Sequence, residues 1–289
     1  MLYGGAARPL RARVTHGWRA RKVGHETGED VMTENLVQIE RRGAVALVRF
    51  DRKENLNAFN QALVLEMTAA ARSFHDDVET QAIVVTGAAN AFSAGADLKD
   101  AASWEVEGMS DVARRQRFYR GVRLCEAWEQ TPQITIAAIE GMAVGAGVAL
   151  ALACDWRVMA DDAFLYVPEV KIGLNLQWGA LPRLVTLVGP ARAKRIVLLC
   201  ERMAAAQASD WGLVDEVAPS GGSVDRALAL AEATVAMPHA TVRLVKEAVN
   251  ATAGALHRAT SYADADQSQL TAGFADAHRA RDAFTGGDG

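Results

Sequence analysis

Residues 134–155, ITIAAIEGMAVGAGVALALACD, constrain the fold more tightly than any other part of the chain. Residues 134–139 are a short β-branched apolar run, the pattern of a buried strand. The run ends at Gly141. Gly145 and Gly147 then permit a close approach of backbone, and an apolar helix is predicted to start near Ala146. A strand–glycine turn–helix unit aims free N–H groups at whatever lies above the turn, which makes it a cradle for developing negative charge. The same residues also suit a plain tight corner packed with small side chains, and this stretch alone does not separate the two.

Composition narrows the class. The chain has 289 residues, half of them hydrophobic and 23% charged, enough for a sizeable core in one or two domains. A net charge of −4 argues against a nucleic-acid partner. Cys125, Cys154 and Cys200 lie far apart in apolar runs, as reduced core cysteines of a cytoplasmic protein do, rather than as a disulfide or zinc framework. The histidines (His16, His25, His75, His239, His257, His278) show no metal spacing, so no metal is expected. No apolar run reaches the roughly 18 residues of a membrane span, so no membrane partner is expected either. At the N-terminus, Arg8, Arg11, Arg13, Arg19, Arg21 and Lys22 precede any acid, without the apolar core of a secretory signal. Residues 1–32 are read as a disordered or non-native extension ahead of Met32. The remainder is distinctly acidic.

Along the chain, residues 36–40 and 44–50 are strand-like and joined by Arg41-Arg42-Gly43 as a hairpin. Asn60 is placed to cap a helix whose apolar face includes Leu63, Val64, Met67 and Phe74. Residues 82–86 (AIVVT) form another buried strand before the loop AANAFSAGADLKD. A charged helix is predicted over 111–130, then the central unit, then short strands at 156–160 and 163–167. Helices at about 183–188 and 190–202 flank Gly189-Pro190, and 214–217 is a late strand. From Ser223 the pattern is helical, broken at Pro238. Strands alternating with helices, and then helices alone, predict an α/β core with parallel βα units and a helical C-terminal region.

Two βα corners, AIVVTGAANAFSAGADL and ITIAAIEGMAVGAGVALALACD, together with LYVPEVKIGL and AAQASDWGLVDEVAP, resemble the crotonase superfamily of enoyl-CoA hydratases, isomerases and relatives. The resemblance covers roughly residues 33 to 285. It implies a ββα spiral core over 33–222 and a C-terminal helical trimerisation region over 223–289, assembling as a homotrimer or a hexamer of paired trimers. It implies an acyl- or enoyl-CoA substrate, with coenzyme A part of that substrate and no separate cofactor. It also implies an oxyanion hole of two backbone N–H groups, carried by motif to Ala94 and Ala146. A backbone donor survives the alanine at 146, where many relatives have glycine. Asn55, Leu56, Ala96, Asp97, Leu98 and Gly145 match positions along the CoA and pantetheine path, although Asp97 equally suits a turn or cap.

Relatives that hydrate enoyl thioesters resemble one another in having two glutamates. This chain keeps one, Glu169 in Val167-Pro168-Glu169, where apolar neighbours would raise its pKa toward useful acid–base values. The other position falls on Ala149, and a methyl group moves no proton. Leu174, Leu176 and Trp178 would narrow or cap the acyl pocket if they face it, and Gln177 offers a polar contact. Glu105, Glu107, Asp111 and Tyr119 are the candidates to replace the missing acid, against a reading as solvated helix-face groups. Ser93 lacks a nucleophile-elbow context and is expected to pack or hydrogen-bond. Double-bond isomerisation through Glu169 fits these residues better than hydration does. The alternatives are a 2-enoyl-CoA hydratase of fatty-acid degradation and a non-catalytic acyl-CoA-binding homologue. A dinucleotide oxidoreductase fits poorly, because Tyr119, Tyr166 and Tyr262 lack the lysine four residues on that such enzymes carry.

Overall fold

Gly43 adopts φ +62°, a conformation that L side chains rarely take, and it closes a two-residue turn between β1 (Val37–Arg42) and β2 (Val45–Phe50). The strands are antiparallel with Arg42 opposite Val45, so β1 takes in Arg41 and Arg42 of the expected turn and leaves Gly43 to close it. The computed structural model describes residues 35–100 and 107–286; the expected extension over 1–32 lies outside them. From β2 onward the pairing is parallel, through β3 (Ala82–Thr86), β4 (Ile134–Ile139), β6 (Trp156–Ala160) and β9 (Glu216–Ala218). The result is a six-stranded sheet ordered β1-β2-β3-β4-β6-β9. A smaller sheet, ordered β5-β7-β8, joins β5 (Met142–Val144), β7 (Phe164–Tyr166) and β8 (Met203–Ala204). The sequence did not predict β5 or β8, because two or three residues beside glycine or arginine leave no period to read.

The central strands are covered on both faces, which is why they read as continuous apolar runs rather than alternating ones. Val48, Phe50, Ile83, Val85, Ile139 and Met159 enter the larger core. The alternate residues Val45, Leu47, Val84, Ile136 and Val158 enter a second one. Among the helices that build the first core are α1 (Gln61–Ser73), α3 (Arg120–Glu129) and α4 (Ala146–Ala153). Asn60 caps α1 as expected, its side chain accepting from Leu63 N at 2.9 Å. All eight residues of α4 are buried, as an all-apolar helix must be. The helix expected over 111–130 breaks at Tyr119, giving a separate α2 (Asp111–Phe118). There Arg115 lies over the Tyr119 ring and pairs bidentately with Asp266.

α5 (Ala180–Leu199) is continuous except for the bend at Gly189-Pro190, where φ at Gly189 is +77° and Pro190 has no N–H to donate. After α6 (Ala205–Asp210) come α7 (Ser223–Val235) and α8 (His239–Ala253), separated at Pro238. Then follow α9 (His257–Ser261), α10 (Asp264–Ala272) and α11 (Ala275–Gly286). Ala227 and Ala231 of α7 cover the second sheet face. The α/β class with a helical C-terminal region is therefore what the chain forms. Among the described residues no helix is long and apolar enough to cross a membrane, and no cluster of His, Cys, Asp and Glu could hold a metal. Burial pushes the Cys125 and Cys154 thiols up to about 12, which keeps both protonated.

One buried ion pair joins α8 to the sheet. Asp155 Oδ2 accepts from Lys246 Nζ at 2.6 Å, Thr135 N at 2.7 Å and Thr135 Oγ1 at 2.9 Å. Lys246 Nζ also donates to Gln133 O at 2.7 Å. Removing one partner strands a buried charge. Asp155→Ala is expected to cost about 3–5 kcal/mol in urea unfolding, whereas Lys194→Ala, on a surface ammonium, should stay within about 0.5 kcal/mol.

Candidate functional site

Two βα corners are sewn together by backbone. Phe92 N donates to Glu140 O at 2.9 Å, Ser93 N to Met142 O at 3.0 Å, and Val144 N to Ser93 O at 2.9 Å. These bonds pair Ser93 with Ala143 in parallel register. The crossing requires glycine: a Cβ on Gly141 would lie 2.0 Å from Asn90 O, and φ there is +62°. Ser93 is fully buried and its Oγ accepts from Gly95 N at 3.1 Å, a turn-forming role in line with the sequence reading.

This register decides which N–H groups are free. Ala94 N donates to Leu56 O at 3.0 Å and is spent within the protein, so the expectation for Ala94 is corrected. Ala96 sits as far beyond Ser93 as Ala146 sits beyond Ala143. It pairs with Phe59, whose N–H goes to Gly95 O at 2.7 Å and whose carbonyl accepts from Asp97 N at 2.9 Å. In a parallel pair those two bonds leave the residue between them facing the other way. The Ala96 N–H accordingly meets no protein acceptor among the described residues. Ala146, the first residue of α4, likewise presents an N–H of the unpaired first turn. Ala96 and Ala146 both line a cavity of about 500 Å³.

Glu169 opens a short 3₁₀ turn after β7 and Pro168. Its carboxyl packs where Gly145 has no side chain: a Cβ there would lie 2.5 Å from Oε1. Oε2 is buried with no hydrogen-bond partner. Burial pushes this carboxyl up to about 7, opposed only by its own backbone N–H. Ala149 lines the same cavity and is almost wholly buried.

Among the described residues the cavity has one further acid, Asp97. Burial acts to raise its pKa, yet Arg52 Nη1 at 2.7 Å, Lys99 N at 3.0 Å and Asn55 Nδ2 at 3.2 Å hold the carboxyl below its usual range. Asp97 is a structural tie. Glu107 and Asp111 are exposed and do not line the cavity, the Tyr119 hydroxyl faces Asp266 at 3.5 Å, and Glu105 lies outside the described residues. No replacement for the missing acid appears at Glu107, Asp111 or Tyr119.

Of the residues expected along the ligand path, Ala96, Asp97, Leu98, Gly145 and Trp178 line the cavity; Asn55 and Leu56 do not. These two are exposed and bond to residues that line it, Asn55 to Asp97 and Leu56 to Ala94. Their loop runs through positive φ at Lys53, Asn55, Leu56 and Asn57. The buried Asn57 secures it: Nδ2 donates to Phe50 O and Phe92 O, and Oδ1 accepts from Arg52 N. An isolated asparagine carries no pattern, and the sequence reading passed over it. Leu174, Leu176 and Trp178 do face the cavity. Gln177 donates to Ser268 Oγ at 2.6 Å and so docks α10, whose Ser268, Gln269 and Ala272 form one side of the cavity.

The family model for enoyl-CoA hydratase/isomerase matches residues 40–286. The chain is 36% identical over 219 residues to a "probable enoyl-CoA hydratase" of Mycobacterium tuberculosis, covering 76% of this chain and 82% of the relative. It is 33% identical over 222 residues to another so named from Rhizobium meliloti, with the same coverage. A crystal structure of an enoyl-CoA hydratase/isomerase from Xanthobacter autotrophicus Py2 superposes with a TM-score of 0.77 at 30% identity, over 86% of this chain and 93% of that one.

The raised carboxyl at Glu169 ties stability to pH. The folded state holds this proton more tightly than the unfolded chain, so Glu169 costs nothing when both states are protonated, below about pH 4.5, and costs most above about pH 7. Glu169→Gln should therefore match wild type near pH 4.5 and exceed it by about 2–3 kcal/mol at pH 8. Urea unfolding at the two pH values measures the difference, and parallel curves would place the Glu169 carboxyl in water.

Proposed function

The chain belongs to the enoyl-CoA hydratase/isomerase family, and on that footing we propose that it shifts the double bond of an enoyl-CoA thioester, with Glu169 as its one proton carrier. A single observation carries the choice of reaction. The described wall of the cavity offers one carboxyl that no ion pair holds, Glu169, and a methyl at Ala149 where a second would stand.

In this reading the thioester oxygen rests between the N–H groups of Ala96 and Ala146. Ionised Glu169 takes a proton from C2 of a 3-enoyl thioester. The C2–H electron pair then delocalises over the dienolate and onto the oxygen, where the two donors meet it. The protonated Glu169 returns the same proton at C4, and the double bond settles between C2 and C3. A carboxyl near pKa 7 is present in both forms at neutral pH, so giving and taking the proton are nearly balanced. Each preorganised donor is worth on the order of 10²–10³ in rate. No cofactor enters, since coenzyme A is part of the substrate. A homotrimer or hexamer belongs to the same proposal, supported by exposed apolar residues such as Leu198, Leu244, Val245 and Val249 on the helices.

Hydration is the second reading, favoured by the names of the relatives cited above. Incubation of wild type, Glu169→Gln and Ala149→Glu with 2-enoyl- and 3-enoyl-CoA thioesters in deuterated water separates the two. Wild type is expected to isomerise with little deuterium incorporated, because Glu169 carries the substrate's own proton from C2 to C4, and Glu169→Gln to lose about 10²–10⁴ in kcat. A 3-hydroxyacyl product should appear with Ala149→Glu. The same product from wild type would establish hydration and discard the single-carboxyl reading.

A further inference from the structure

We infer that Trp178, seated on Gly121, is the end wall of the acyl pocket and confines the enzyme to short-chain acyl-CoA thioesters. The inference rests on the reading of this cavity as an enoyl-CoA site.

The indole fills space that α3 leaves empty. A Cβ built on Gly121 would lie 1.9 Å from Trp178 Cε2 and 2.0 Å from Nε1, so the ring lies against bare helix backbone. The ring also meets Phe59, edge to face with centroids 5.6 Å apart. Phe59 is the residue whose backbone pairs with Ala96. One phenylalanine thus spans from the thioester-oxygen donor to the wall, which leaves little depth for an acyl chain between them.

The wall is also fixed. Trp178 holds φ +62°, a conformation that persists in a bulky residue only where its surroundings enforce it. The enforcing contacts come from both sides. Trp178 O accepts from Arg183 Nη1 at 3.0 Å, and Gly179 N donates to Asp264 Oδ2 at 2.7 Å. Arg183 is in turn locked to Glu129 by two bonds of 2.8 Å. Trp178 faces the substrate cavity, while the next residue, Gly179, lines a second one of about 400 Å³ together with Glu129, Arg183, Lys246 and His257. An acyl chain that passed the indole would enter charged surroundings where a methylene gains nothing.

The test compares kcat/KM for 3-butenoyl-, 3-hexenoyl- and 3-dodecenoyl-CoA in wild type, Trp178→Phe and Trp178→Ala. It adds competitive inhibition of each by butyryl- and dodecanoyl-CoA. Wild type should favour hexenoyl over dodecenoyl by at least about tenfold, and Trp178→Ala should raise the long-to-short ratio by about tenfold or more, with Trp178→Phe between. Should Trp178→Ala not fold by thermal melting, Trp178→Phe and the wild-type inhibition series decide. Wild type that turns over or binds the long thioester as well as the short one overturns the wall. Length-dependent binding without turnover upholds the wall and removes the proposed reaction. Binding of no thioester removes both.

Discussion

The clasp between Ser93 and Ala143 is the constraint on which the rest of the site depends. Three backbone hydrogen bonds hold two chain segments in parallel register beyond the ends of β3 and β4. From that register the two unpaired N–H groups follow, because each lies at the same step past the clasp. The glycines around it are part of the same geometry. Gly141 lets the chains cross, Gly147 lets α4 start against Ser93, and Gly145 vacates the volume that the Glu169 carboxyl fills. The groups assigned to the chemistry thus come from main chain and from one side chain, in a cavity that Asp97, Arg114, Arg117 and Gln177 also line.

Desolvation does the remaining chemical work. A carboxyl with one oxygen buried and unpartnered is held near neutrality by the cost of its charge, without any second acid beside it. Asp97 shows the contrast within one cavity. It is buried too, but a guanidinium, an amide and a backbone N–H compensate its charge, and it stays ionised. Two carboxyls of one cavity therefore take opposite roles according to how strongly each is desolvated and which partners meet its charge, as environment rather than residue type dictates.

Much of this was legible in the sequence because it was periodic or punctuated. The β-branched runs at 82–86 and 134–139, the Asn60 cap and the glycine spacing in GMAVGAG each carry local chemistry that survives folding unchanged. What escaped depends on pairing between distant segments. The motif placed the first donor at Ala94; only the bond to Leu56, far back in the chain, shows that this N–H is spent. The Trp178–Gly121 contact joins residues that no spacing rule connects, and Asn57 earns its place only through carbonyls at Phe50 and Phe92. Strands as short as β5 and β8 exist because neighbours supply their partners, not because of their own residues.

The borders of the large sheet have a consequence for self-association. β1 bears Gln38, Glu40, Arg41 and Arg42 on an exposed strand, with Arg42 and Glu40 paired, and β9 at the other border is only three residues long. Charged or very short margins are poor templates for another chain's backbone. Runaway edge-to-edge growth of the kind that seeds fibrils is disfavoured from either border of this sheet.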